Sequence, residues 1–156
     1  MAKASTIFSL PEGVRLQVRH FAELTTQELY EILKARFIVF VGEQHIHYTD
    51  EDDIDYLATH FSLRRDDTVL AYARVFPDAE KGVFLVGRLL TIERGKGYAR
   101  YLMEQIAAYA QQSGAHTLRL HAQIQVVPFY EQLGYHTVGD TFTEAEITHI
   151  LMEKQL

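Results

Sequence analysis

The segment Arg94-Gly95-Lys96-Gly97-Tyr98-Ala99 sets two cations and two glycines directly ahead of a run whose apolar residues recur at helical spacing. A glycine-bearing loop that opens a long helix presents unbonded backbone N–H groups at the positive end of the helix dipole, and such an end attracts anions. Gly95 and Gly97 permit backbone conformations and close approach that a side chain would block. Arg88, Arg94, Lys96 and Arg100 add charge, opposed between residues 88 and 100 only by Glu93. The expected chemistry is capture of a small anionic ligand. A plain helix-entry turn would use the same two glycines, and the loop alone does not separate the two readings.

Other phosphate loops fail on these residues. Gly82 and Gly87 have the Walker spacing, but Arg88 and Leu89 follow where Lys and Ser or Thr are needed. The dinucleotide fingerprint needs a third glycine where Arg100 stands. Neither a Gly-x-Ser-x-Gly elbow nor a His-Glu-x-x-His helix occurs, so hydrolase routes lack their usual carriers. The acids Asp50 to Asp55 fail as a calcium loop, with Asp55 at the glycine position and Phe61 at the final glutamate position. They read best as a solvated acidic surface, or as a field that attracts a cationic substrate. His45 and His47 alternate in an irregular stretch, and no metal is expected there.

Composition narrows the class. The net charge of −6 argues against a nucleic-acid surface, and the absence of cysteine removes disulfides, thiolate metal sites and a cysteine nucleophile. The apolar runs are too short to span a bilayer and no leader pattern opens the chain, so the expectation is one cytoplasmic domain over residues 1–156. Phe21, Phe84 and Phe142 could serve a homodimer interface.

The elements that must position the loop follow from periodicity. Val14, Leu16 and Val18 alternate as in a half-buried strand; Thr25 and Glu28 form a capping-box pattern ahead of Leu29, Ile32, Leu33, Arg36, Phe37 and Phe40. Residues 41–56 are polar and acidic, a loop with a short second helix. Residues 61–64, 69–76 and 83–92 read as three antiparallel strands. A long helix from Gly97 has the inner face Ala99, Leu102, Met103, Ile106 and Ala110, and Gly114 closes it. A strand at 117–122, which can lie parallel to the previous one, a short helix at 126–133, and strands at 135–138 and 147–152 complete an α/β chain with a mixed, mostly antiparallel sheet.

Arg94-x-x-Gly97-x-Ala99 resembles the acyl-CoA pyrophosphate loop of the GNAT superfamily. Val126-Val127-Pro128-Phe129-Tyr130 with Leu133-Gly134-Tyr135 resembles its second signature. Arg36, residues 39–41, Glu43, Gln44, Asp53, Asp55, His60, Ala122, Gln123 and His149 are similar to the ElaA/YjcF-like branch. The approach to Arg94 is about two residues shorter than in that family, and Ile147-Thr148-His149 replaces its Ile-Pro-His. The resemblance implies a three-layer fold, β-α-α-β-β-β-α-β-α-β-β, with helices on both faces. It implies an N-acetyltransferase that moves an acetyl group from acetyl-CoA to a primary amine, small molecule or peptide, by direct attack in a ternary complex. A non-catalytic acyl-CoA binding or sensing domain is the alternative.

On the same resemblance Leu89, Leu90 and Thr91 pair with the pantetheine arm, residues 94–100 hold the pyrophosphate, and Gln123, Phe129 and Tyr130 line the cofactor. Tyr130 is the general acid for the departing thiolate: a phenol of ordinary pKa about 10 is protonated at neutral pH. Glu43 and His60 are the base candidates, with Asp53, His121 and His149 behind them, since a carboxylate or imidazole can take the amine proton.

Overall fold

A computed structural model describes residues 8–47 and 50–156. Seven strands form one sheet in the order β1-β2-β3-β4-β5-β7-β6: β1 Val14–His20, β2 Thr59–Arg65, β3 Thr68–Pro77, β4 Val83–Thr91, β5 Thr117–Gln123, β6 His136–Glu144 and β7 Ile147–Gln155. Only β4 and β5 run parallel, because the long helix α2, Tyr98–Gln112, carries the chain back between them. The other helices are α1, Thr26–Arg36, and α3, Val127–Gln132. The fold is the mixed, mostly antiparallel α/β arrangement expected.

Two apolar clusters place helices on both faces. Leu102, Met103, Ile106 and Ala110 of α2 pack with Tyr130 of α3 against Phe61, Ala71, Ala73, Val86, Leu118, Leu120 and Ala122. Ile32 and Ala35 of α1 and Val39 pack on Val69, Tyr72 and Leu90. The capping box at the start of α1 is formed: Glu28 N–H donates to Thr25 Oγ1 at 3.1 Å and Thr25 N–H to Glu28 Oε1 at 2.8 Å.

The structure departs from the periodic reading after Arg36. The chain continues as a π-helical turn, Phe37–Glu43, and the only helical piece beyond it among the described residues before β2 is a 3-10 turn, Ile54–Tyr56. β-Branched Ile38, Val39 and Val41 suit a regular α-helix poorly, and the wider turn rotates the face. Val39 is buried and Phe37 is 62% exposed, so Phe37 is not the inner residue its spacing suggests. The last hairpin is longer than read: β6 and β7 run to the turn at Ala145 and Glu146, both with positive φ. That is the backbone of a tight hairpin turn, built here without glycine or asparagine at either central position.

The acids 50–55 also differ from expectation. Asp50, Asp52 and Asp55 bind arginines, two of them buried, while Glu51 and Asp53 stay exposed. Arg36, fully buried, donates to Asp50 Oδ2 at 2.7 Å and Asp55 Oδ1 at 2.8 Å. Arg74, also buried, reaches Asp55 Oδ1 at 2.9 Å and Asp52 Oδ1 at 2.8 Å; Arg88 reaches Asp50 Oδ1 at 2.9 Å. Burial alone would raise the Asp55 carboxyl, but the hydrogen bonds and charges of Arg36 and Arg74 outweigh it and hold it below the usual carboxylate range.

His60 is part of this knot. Its Nε2–H donates to the Asp55 carbonyl at 2.9 Å, so Nδ1 accepts from the Tyr72 hydroxyl at 2.7 Å. Burial depresses its pKa, and the Asp55 carbonyl offsets this only partly. A depressed histidine stabilises the fold above about pH 6.5 and loses that contribution as pH falls through the folded value; the depressed aspartates do the same below about pH 4. The urea midpoint should therefore fall in two steps on acidification from pH 7. Asp55→Asn, which strips charge from a buried pair, should cost about 3–5 kcal/mol in urea unfolding at pH 7. A loss under about 1 kcal/mol would mean the arginines find water instead.

Candidate active site

β4 and β5 pair only over the first half of their length, from Val83↔Thr117 to Val86↔Leu120. Beyond Val86 the two parallel strands part. Arg88 has φ 56° and the β3–β4 register shifts between Tyr72 and Arg74, so a bulge turns β4 where the pairing ends. Leu90 and Thr91 stay bonded to β3, opposite Tyr72 and Ala71, and the β5-facing edge of Leu89 to Thr91 has no strand partner among the described residues. An extended ligand arm can pair with such an edge.

The loop Arg94–Gly97 follows this edge. Gly95 has φ 74° and Gly97, the N-cap of α2, has φ 76°, both left-handed conformations that favour glycine. Among the described residues no side chain caps α2, so within them the N–H groups of its first turn are left for an anion. Lys96 is exposed and Ala99 half-buried. The Tyr98 ring is 2% exposed and lies in the core, so at that position the loop offers only its backbone. The cation island is smaller than its sequence suggests. Arg88 belongs to the aspartate knot, Arg100 pairs with Glu104 at 3.1 Å, and Arg94 pairs with Glu43.

Tyr130 stands on α3, which begins as soon as β5 and a 3-10 turn, Ile124–Val126, are complete, with Pro128 in its first turn. Its ring packs edge-on against Phe129, 5.2 Å away between centroids, and Tyr135, 5.8 Å away. Its hydroxyl makes no hydrogen bond among the described residues, and burial pushes its pKa up to about 12. It is therefore a neutral phenol across the physiological range.

A parted pair of parallel strands, a helix with no side-chain cap among the described residues behind two left-handed glycines, and a tyrosine on the following helix lie together in the chain. Residues 21–156 match the family model for the acetyltransferase (GNAT) domain. The chain belongs to the GNAT acetyltransferase family. A UPF0039 protein of Schizosaccharomyces pombe is 34% identical over 143 residues, which cover 88% of this chain and 95% of that protein. The crystal structure of an acyl-CoA N-acyltransferase from Pseudomonas aeruginosa superposes with a TM-score of 0.83 at 30% identity, covering 90% of this chain and 99% of that one. Escherichia coli ElaA gives the same TM-score at 28% identity, with 90% and 99% covered. As a GNAT protein the chain is an acyltransferase whose co-substrate is an acyl-CoA.

Within this GNAT frame the base candidates separate. His60 is buried with both ring nitrogens committed, which leaves no lone pair for a substrate proton. Glu43 is half-exposed at the end of the π turn, against Arg94; beside it Gln44 Oε1 accepts from Gln123 Nε2 at 3.1 Å, so this segment touches both sides of the split. Asp53 is exposed, with a left-handed φ of 64° that serves the turn into residues 54–56. His121 and His149 lie beside Glu144. Glu144 is the residue the motifs missed; no spacing marks it, because it reaches the histidines only when β6 folds back beside β7. No trio of His, Asp or Glu among the described residues could hold a metal ion, and no helix there is long and apolar enough to cross a membrane.

His121 Nδ1–H donates to Glu144 Oε1 at 3.1 Å; this bond raises the imidazole and lowers the carboxyl. The pair therefore stabilises the fold between the two titrations and fades as pH rises through the folded histidine value. In an NMR titration His121 should have a midpoint above about 6.5, and Glu144→Gln should bring it back toward that value. A wild-type midpoint at or below 6.5 would contradict the pairing.

Proposed function

We propose that the chain is an N-acetyltransferase that passes the acetyl group of acetyl-CoA directly to a primary amine in a ternary complex, with Tyr130 as the acid for the departing thiolate. The observation that carries this reading is the parted β4–β5 pair, with the open α2 N-terminus at its mouth and the unbonded Tyr130 hydroxyl on α3. In this reading Leu89, Leu90 and Thr91 pair with the pantetheine amides. The backbone of residues 95–99 takes the pyrophosphate, and Arg94, Lys96 and Arg100 neutralise it. Gln123 and Phe129 flank the arm.

The amine attacks as the free base, so it first gives up a proton. The nitrogen lone pair forms the C–N bond, the carbonyl oxygen becomes an oxyanion, and collapse breaks the C–S bond. The thiolate takes the Tyr130 proton, the amide nitrogen sheds its second proton to water, and Tyr130 is reprotonated from solvent. A pKa of about 12 makes Tyr130 a weak acid toward a thiol of ordinary pKa about 8.5. A thiolate released into the same dry cleft is desolvated too, and its proton affinity rises in the same sense.

Incubation with acetyl-CoA and a panel of amines should release thiol. Binding without release over every amine would leave an acyl-CoA binding domain, and no binding of CoA would overturn the reading. Tyr130→Phe should lower kcat by about 10²-fold or more while CoA affinity holds; unchanged kcat across pH would remove the acid. Glu43 occupies Arg94 in the unliganded protein. Glu43→Gln should tighten CoA up to about fivefold at low salt, an effect that shrinks as salt screens the exposed pair. Weaker CoA binding in that variant would mean Glu43 contacts the ligand.

A further inference from the structure

β5 and the last hairpin hold a cluster that the steps above do not use. On β5, Leu118, Leu120 and Ala122 turn into the α2–α3 core, so His121 and Gln123 face the opposite side, where Gln123 meets Gln44. His149 lies directly across from Gln123 and shares its face. His121 is the first residue past the end of the β4–β5 pairing and Gln123 the last of β5. Both imidazoles therefore flank the split, on the face opposite the one Tyr130 packs against.

His149 has a defined tautomer and an unfilled valence. Its Nδ1 lies 2.7 Å from the Ile147 carbonyl, which can only accept, so Nδ1 carries the hydrogen. In the neutral ring Nε2 is then a bare lone pair. What faces it is Glu144 Oε2, 3.7 Å away, another acceptor beyond hydrogen-bond reach. Two acceptors set apart in this way leave room for an N–H donor between them. A nitrogen about 2.9 Å from each would hydrogen-bond to both. The His149 side chain is only 8% exposed and the Glu144 side chain 51%, so the pair opens to solvent from the carboxylate side.

The surroundings suit an ammonium. Glu144 is held ionised chiefly by the hydrogen bond from His121, against its partial burial, with the charge of Arg88 acting in the same direction as that bond. The Phe142 ring lies between the imidazoles, edge-on to His121 at 5.1 Å and stacked with His149 at 6.0 Å, and gives an alkyl chain an apolar wall. Arg88 and Arg119, the cations nearest in effect, are tied to Asp50 and Asp52 and to Asp78, Glu80 and Glu153.

We infer that Glu144 and His149, with His121 and Phe142, form the acceptor subsite for a protonated primary alkylamine. Glu144 binds the ammonium and His149 Nε2 takes its proton. The step balances: one N–H bond of the ammonium breaks, Nε2–H forms, the imidazole becomes imidazolium against Glu144, and the amine keeps the freed electron pair for attack on the thioester. The inference rests on the amine-acetylation reading and names its missing base. Acid and base then address the thioester from opposite faces of the sheet.

Two readouts on the whole chain with CoA present test it. Titration with n-butylammonium or 1,4-diaminobutane should give saturable shifts of the His121 and His149 imidazole resonances, lost in Glu144→Gln. In acetyl transfer Glu144→Gln should raise the amine KM about tenfold, the weight of one charge-assisted hydrogen bond, with a smaller effect on kcat. His149→Asn, whose amide N–H keeps the bond to the Ile147 carbonyl, should lower kcat by about 10²-fold, leave the acetyl-CoA KM unchanged, and recover in part with added imidazole. Wild-type imidazoles that ignore both amines, or variants with unaltered amine KM and kcat, overturn the subsite. A protein that releases no thiol with any amine fails the acetyl-transfer reading instead, and the imidazole titration still judges the subsite.

Discussion

Arg36 and Arg74 lie almost wholly out of water, and a charge there is tolerable only if it is paired; of the two guanidinium groups, only Arg74 Nε lacks a hydrogen-bond partner among the described residues. Asp55 answers both, and Asp50 and Asp52 complete the neutralisation while also taking Arg88. One knot thus ties α1, β3, β4 and the segment between α1 and β2. The irregular residues 50–55 have few apolar contacts of their own; what places them is charge matching against arginines fixed by helix and sheet. Arg88, which sits at the bulge, is drawn toward this side and away from the anion loop.

The bulge at Arg88 and the end of the β4–β5 pairing are two aspects of one geometry. Parallel strands stay paired while their backbones run side by side, and a left-handed residue turns one of them away. Beyond Val86 the sheet divides into a β1–β4 part and a β5–β7 part. The division leaves a strand edge without a partner at the level where α2 begins, so one opening holds a line of backbone hydrogen-bonding groups and the positive end of a helix dipole. Such an opening suits a ligand with an amide-bearing arm and a polyanionic end, the description of an acyl-CoA. The loss of sheet hydrogen bonds is offset by packing on both faces, where α2 and α3 cover one side and α1 the other.

Histidines with different surroundings show how burial assigns roles. His60 is sealed with a donor and an acceptor already engaged, and burial keeps it neutral. His121 is held by a carboxylate near solvent, which favours its charged form. His149 is anchored through one nitrogen only. These distinctions depend on the burial and the partners of each ring in the folded chain: Tyr72 and the Asp55 carbonyl for His60, Glu144 for His121, and the nearby Ile147 carbonyl for His149.

The sequence by itself determined the strand order, the long helix after the loop at Arg94 to Ala99, and the family, because these rest on local signals: periodicity, capping residues, and glycines where the backbone turns left-handed. Arg36 and Asp55 were legible as part of a recurring block but not as a buried pair, since ion pairing joins residues far apart in the chain. The π turn after Arg36 and the hairpin turn at Ala145 and Glu146 escaped because their residues carry no turn chemistry of their own; packing on one side and strand pairing on the other impose the conformation. Only the tertiary structure removed Arg88 from the anion island, turned the Tyr98 ring into the core and gathered His121, Glu144 and His149. The reason is common to all three: the direction a side chain takes is set by the face of the strand or helix it occupies and by what packs or pairs with it there, and those partners come from other elements.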